Sequence, residues 1–170
     1  MEKEIVNRVA TSSLVSIDLE ALYTCGERIL FDIKGHLFKE TILKEKDFRD
    51  FIKAHEWSCY QDKLVAITCS VDAVIPTWAY MLLSIALEPF ARRVFFGSLA
   101  ELESILFHDA LARVNWEQYR DAKVVIKGCG KVEVPASAYV EVTHYLRPLA
   151  ASIMYGEPCS TVPLFKKSKA

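Results

Sequence analysis

The sequence has no Cys-x-x-Cys pair, no P-loop, no Ser-His-Asp arrangement and no paired-carboxylate motif. These gaps remove the commonest local signatures of zinc ribbons, nucleotide hydrolysis, acyl transfer and glycoside cleavage. Charge of one sign is also missing, with 21 Lys and Arg against 22 Asp and Glu. Basic residues form no stripe beyond the short tail Lys166, Lys167 and Lys169, so nothing argues for a nucleic-acid partner. The most apolar stretch, residues 73–87, is interrupted by Pro76, Thr77 and Ser84. It falls short of the roughly 20 residues a membrane span needs and reads as a buried helix. The opening Met-Glu-Lys-Glu lacks the basic-then-apolar layout of a signal peptide. A cytoplasmic protein with no membrane partner is expected, its five cysteines (25, 59, 69, 129, 159) free thiols rather than staples.

What is present is a repeat. Trp57, Tyr60 and Asp62 return as Trp116, Tyr119 and Asp121, 59 residues later. Reading Ala122 as an inserted residue then pairs Lys63 with Lys123, Val65 with Val125 and Cys69 with Cys129. After that the shorter offset resumes, pairing Pro76 with Pro135, Tyr80 with Tyr139, Pro89 with Pro148 and Gly97 with Gly156. Two unrelated helices would match in apolar residues, but not in Trp, Tyr, Pro and Gly in one register. The unit is too long for a solenoid and right for a β-α-β half-domain.

The 170 residues suit a single domain, 1–170. Residues 1–13 read as a loosely held arm. Residues 14–19 and 28–34 read as strands and 45–55 as a helix, giving an N-terminal β-β-α segment over 1–56. Repeat 1 covers 57–115, with its matched core at 57–97. Repeat 2 covers 116–157, with its core at 116–156, and residues 158–170 form an extended tail enforced by two prolines. The continuous apolar run 63–69 is that of a parallel strand covered on both faces. Helices are expected at 75–89 and 135–149, and Ser98 with Glu101 forms a capping box for a helix between the repeats. The fold class is α/β, a mostly parallel sheet with helices on both faces. Its two repeat strands are expected side by side at the centre. Helix 75–89, apolar nearly all round, then needs cover from the N-terminal segment or from a second copy of the chain. His36, His55 and His108 read as surface or capping residues.

That sheet order would gather Cys69, Cys129 and Cys159 at three carboxyl ends, where an α/β fold builds its site. The flanking helix N-termini favour thiolate, which binds metals or attacks electrophiles. Asp72 offers a fourth, oxygen ligand. Ser70 and Ser160 can donate hydrogen bonds, and Gly128 and Gly130 allow a ligand close to the backbone. The expected role is binding an iron–sulfur cluster or a zinc or iron ion through Cys69, Cys129, Cys159 and Asp72. Two alternatives stand beside it: a thiol-dependent enzyme or sulfur carrier using Cys129, and a non-catalytic interaction module whose cysteines are buried and structural. Gly128-Cys-Gly130 opens like a dinucleotide fingerprint, but Glu133 occupies the third glycine position.

Glu4-Ile-Val-Asn-Arg-Val9, Lys44-Glu-Lys-Asp-Phe-Arg49, Pro76-Thr-Trp-Ala-Tyr-Met-Leu82, Lys127-Gly-Cys129 and Gly156-Glu-Pro-Cys-Ser-Thr-Val-Pro163 resemble a bacterial family catalogued as domain of unknown function 2480. The resemblance spans essentially the whole chain, and the segment around Cys159 is its most distinctive part. It implies no particular reaction. It does imply a setting among iron–sulfur assembly proteins, which would then be the partners alongside a second copy of the chain.

Overall fold

The computed structural model describes residues 14–128, 130–157 and 159–168, and the arm expected over residues 1–13 lies outside them. In chain order the elements are β1 (Leu14–Asp18), β2 (Arg28–Asp32), α1 (Glu45–Ala54), β3 (Leu64–Thr68), α2 (Thr77–Leu87), β4 (Arg93–Phe96), α3 (Leu99–Leu111), β5 (Lys123–Lys127), α4 (Ala136–Leu146), β6 (Ser152–Glu157) and β7 (Ser160–Lys166). The class is α/β with sheets dominated by parallel pairs. No helix among the described residues is long and apolar enough to cross a membrane.

The chain divides into two compact units. One is continuous, Cys25–Glu103; the other joins the flanking stretches Met1–Thr24 and Ser104–Ala170. In the continuous unit the sheet runs β2-β3-β4, all parallel, with β3 central. Four successive residues of β3, Leu64 to Ile67, are buried, as a strand covered on both faces requires. One face carries Phe31, Val65 and Ile67 into a core with Phe48 of α1 and Leu83 of α2. In the other unit the order is β1-β5-β6-β7, with β7 antiparallel. Ile17, Val124, Ile126 and Ile153 face Phe107 of α3 and Val142 of α4 in its core.

The two units are copies of one design. Phe48 and Phe107 are each 1% exposed, and Trp57 and Trp116 each open a 3-10 turn. Asp62 and Asp121 take positive φ, 59° and 57°, and donate their N–H to Phe90 and Leu149 carbonyls at 2.9 and 3.0 Å. Ala79, Leu83 and Leu87 are buried where Ala138, Val142 and Leu146 are. The correspondence reaches further forward than residues 57 and 116. Asp18 and Asp32 each close a strand and accept from the N–H two residues on, Glu20 at 3.1 Å and Lys34 at 3.0 Å. This short local bond is why aspartate suits both positions. β1 and β2 are therefore the first strands of the two copies. In sequence, one whole copy sits between the first strand and the first helix of the other.

This nesting corrects three expectations. β3 and β5, expected side by side in one sheet, belong to two different sheets. The place beside each is held by the first strand of its own copy, β2 or β1. The inserted Ala122 is also no insertion. Leu64 pairs with Arg93 and Lys123 with Ser152, so the offset stays at 59 throughout. A slip of one residue turns a strand over. Val65 accordingly matches Val124, both in their unit's core, while Val125 points to the opposite face. Cys69 then corresponds to Gly128. Finally, the expected tail is β7, which returns along β6, with Pro163 opposite Met154 at a register shift. An edge strand tolerates the missing N–H there.

The inner stripe of α2 is covered by the N-terminal segment, through Phe31, Ile33 and Phe48. Its outer stripe is not: Met81 and Ile85 are exposed.

Candidate functional site

Cys69 follows β3 in the continuous unit, partly buried, with its thiol directed at the Val71 carbonyl 3.4 Å away. Cys159 is exposed in the turn between β6 and β7, in the other unit. Cys25 and Cys59 are exposed, and Asp72 is exposed too. Cys129 lies outside the described residues. Among the described residues no group of three or more His, Cys, Asp and Glu side chains is placed to hold a metal ion. This overturns the expected function, binding an iron–sulfur cluster or a zinc or iron ion through Cys69, Cys129, Cys159 and Asp72. That function rested on adjacent repeat strands, and the strands belong to separate sheets. The alternative of buried structural cysteines falls as well, because Cys25, Cys59 and Cys159 are open to solvent.

The loops at the carboxyl ends of the strands are closed by the protein's own carboxylates. In the continuous unit Asp32 accepts from the N–H of Ser70 at 3.1 Å as well as from Lys34. Burial alone would raise its pKa, but the bonds from Ser70 and Lys34 outweigh that and hold it below the usual range. In the other unit Asp18 pairs with Lys127 at 3.2 Å, and this bond and charge raise the lysine's pKa. Glu20 accepts from the N–H groups of Gly130 and of Lys131, the latter at 3.0 Å. A Cβ on Gly130 would stand 2.9 Å from that carboxylate, which would have to shift to make room for it. The backbone N–H groups of Ser70, Gly130 and Lys131 are thus engaged within the protein. Ser160, the remaining expected donor, is exposed and pairs with Glu157 in the β6–β7 hairpin.

The feature that recurs in both copies is instead a groove between the second helix and the carboxyl half of the sheet. In the second copy it is lined by Ile126, Tyr139, Thr143, Tyr155 and Leu164 and encloses 270 Å³. In the first copy it is lined by Ile67, Tyr80, Ser84, Val94, Phe95 and Phe96 and encloses 110 Å³. Four of the lining positions are equivalent at an offset of 59: Ile67 and Ile126, Tyr80 and Tyr139, Ser84 and Thr143, Phe96 and Tyr155. The helix tyrosine meets the strand aromatic edge to face in both, Tyr80 on Phe96 at 4.9 Å and 72°, Tyr139 on Tyr155 at 5.7 Å and 84°.

The two tyrosines differ in what lies beneath them. Tyr139 donates its hydroxyl to the Gly128 carbonyl, and a Cβ on Gly128 would stand 2.9 Å from that oxygen and 3.1 Å from the Leu19 Cβ. Tyr80 has the residue equivalent to Gly128, Cys69, beside it. Burial first and that sulfur second push its pKa above the ordinary tyrosine value. The second groove is larger because β7 adds a wall, Leu164, that the first copy lacks. Tyr155, Thr143 and Leu164 were not singled out from the sequence. The signal for Tyr155 and Thr143 was the repeat itself, since an aromatic at 96 and 155 and a hydroxyl at 84 and 143 keep the same 59-residue spacing as the tryptophans; Leu164, in β7, has no counterpart in the first copy.

These observations define an α/β protein made of two copies of one β-α-β-α-β design, nested in sequence, each with an apolar aromatic groove. The chain belongs to the family described as protein of unknown function (DUF2480), which matches residues 3–167. No curated protein and no solved structure matches it.

Proposed function

We propose that the protein is a cytoplasmic binding module that takes one apolar or aromatic group in the Tyr139–Tyr155 groove. The recurrence of the groove at equivalent positions of both copies carries this reading. Its second occurrence is deepened by a strand added to the design. The lining is mainly apolar, with Ile126 and Leu164 for contact and two tyrosines in fixed edge-to-face geometry. Drug-sized ligands occupy pockets of about 300–1,000 Å³. A groove of 270 Å³ suits a single ring or branched side chain, presented by something larger.

Indole serves as the probe, titrated calorimetrically into the full chain. The reading expects one site, weakened about tenfold or more when Leu164→Glu places a charge in the wall. Absence of any binding, or binding unchanged by both Leu164→Glu and Tyr155→Ala, rejects it.

A further inference from the structure

Between Thr77 and Leu87 α2 carries no charged residue, and its first turn has no side-chain cap. Its inner stripe is buried in the core of the continuous unit. The opposite stripe, Thr77, Met81, Ser84 and Ile85, follows the i, i+4, i+7, i+8 spacing of one helix face and is open to solvent. Met81 is 60% and Ile85 68% exposed. The second copy supplies an internal control. In α4 the residues equivalent to Ile85 and Glu88 are His144 and Arg147. At that position the same helix of the same design faces solvent with a polar residue where α2 keeps isoleucine, while at the position of Met81 it keeps an apolar one, Val140, 72% exposed.

We infer that the outer face of α2 packs antiparallel on α2 of a second copy of this chain, about a two-fold axis. A two-fold contact sets a patch against itself, so like charges within it would meet. The α2 stripe contains none. Antiparallel pairing about the helix midpoint brings Glu88, exposed just past the C-terminal end, opposite the first turn of the partner helix. That turn has free N–H groups and the positive end of the helix dipole, which a carboxylate complements. The α4 face fails the same test, because Arg147 would meet a positive helix end. The pairing uses only the continuous unit and does not depend on the Tyr139–Tyr155 groove.

Sedimentation equilibrium of the full chain over a wide concentration range tests the inference. Wild type should show a monomer–dimer equilibrium. Ile85→Glu, at an exposed position, should weaken it about tenfold or more with an unchanged far-UV circular dichroism spectrum. Glu88→Lys should weaken it several-fold, while His144→Glu should leave it as in wild type. A monomer at every concentration overturns the inference, even if another protein proves to bind the face. So does a dimer indifferent to both Ile85→Glu and Glu88→Lys.

Discussion

Trp57 and Trp116, 59 residues apart, make the same bond: each indole N–H donates to the carbonyl five residues earlier, Ile52 at 2.8 Å and Leu111 at 3.0 Å. Each ring closes the base of its copy's core, tying the end of the preceding helix to the turn that leads into the central strand. Replacing Trp116 by Phe keeps much of the apolar area but removes the indole bond to the Leu111 carbonyl, which keeps only the Val114 N–H at 3.1 Å. The lost bond should cost about 0.5–1.5 kcal/mol. Trp116→Ala should cost about 3–5 kcal/mol. Urea unfolding midpoints check both; equal midpoints for wild type and Trp116→Phe would contradict the bond's role.

Gly128 lies between Leu19 and the Tyr139 hydroxyl with no room for a methyl group. The tyrosine's end can move, but Leu19 is fully buried and cannot. Gly128→Ala should cost about 1–3 kcal/mol and release the Tyr139 hydroxyl from its carbonyl. Denaturation measures the first effect, and the ultraviolet titration of Tyr139, compared with a Tyr139→Phe background, measures the second. An unchanged midpoint would contradict the steric account.

Glu20 holds the loop after β5 through the Gly130 and Lys131 N–H groups. Glu20→Gln keeps the shape but exchanges one accepting oxygen for a donor, which cannot face an N–H. Faster amide hydrogen exchange at Lys131 is the expected outcome, with exchange in β3 unaffected. Unchanged exchange at Lys131 would count against the clamp.

His36 stacks on Phe51 with ring centroids 3.8 Å apart, inside an aromatic cluster that includes Phe31 and Phe48. Burial first, and the charge of His55 second, lower its pKa below the ordinary value. The folded chain thus binds this proton less readily than the unfolded chain, whose histidine titrates near about 6.5. In the window below that value unfolding takes up a proton, so stability rises with pH. The His36 contribution is fully present above about pH 6.5 and is lost as pH falls towards its folded pKa. Melting temperature should rise between about pH 5 and 7, and His36→Gln should flatten the rise. Parallel profiles for the two proteins would contradict this.

The duplication was legible because Trp57, Pro76, Tyr80 and Gly97 recur in register as Trp116, Pro135, Tyr139 and Gly156, residue types that rarely coincide by chance. Its first strands were not, because β1 and β2 share little beyond an aspartate set between two buried apolar residues. Matching letters also misled: Lys63 with Lys123 and Cys69 with Cys129 align only by the one-residue slip that turns a strand over. The cysteine site depended on sheet order, and sheet order depended on which strand sits beside β3. That place is decided by pairing across 36 positions, Arg28 with Leu64, which no local pattern displays. The groove residues were within view as repeated aromatics, but a repeated aromatic reads equally well as core until the surface above it is seen.

Methyl and aromatic NMR shifts on adding indole to the isotopically labelled full chain test the central claim most directly. The account predicts concerted shifts at Ile126, Thr143, Leu164 and the Tyr139 and Tyr155 rings, with weaker ones at Ile67 and Tyr80 in the smaller groove. Shifts confined to other surfaces, or none at all, would contradict it.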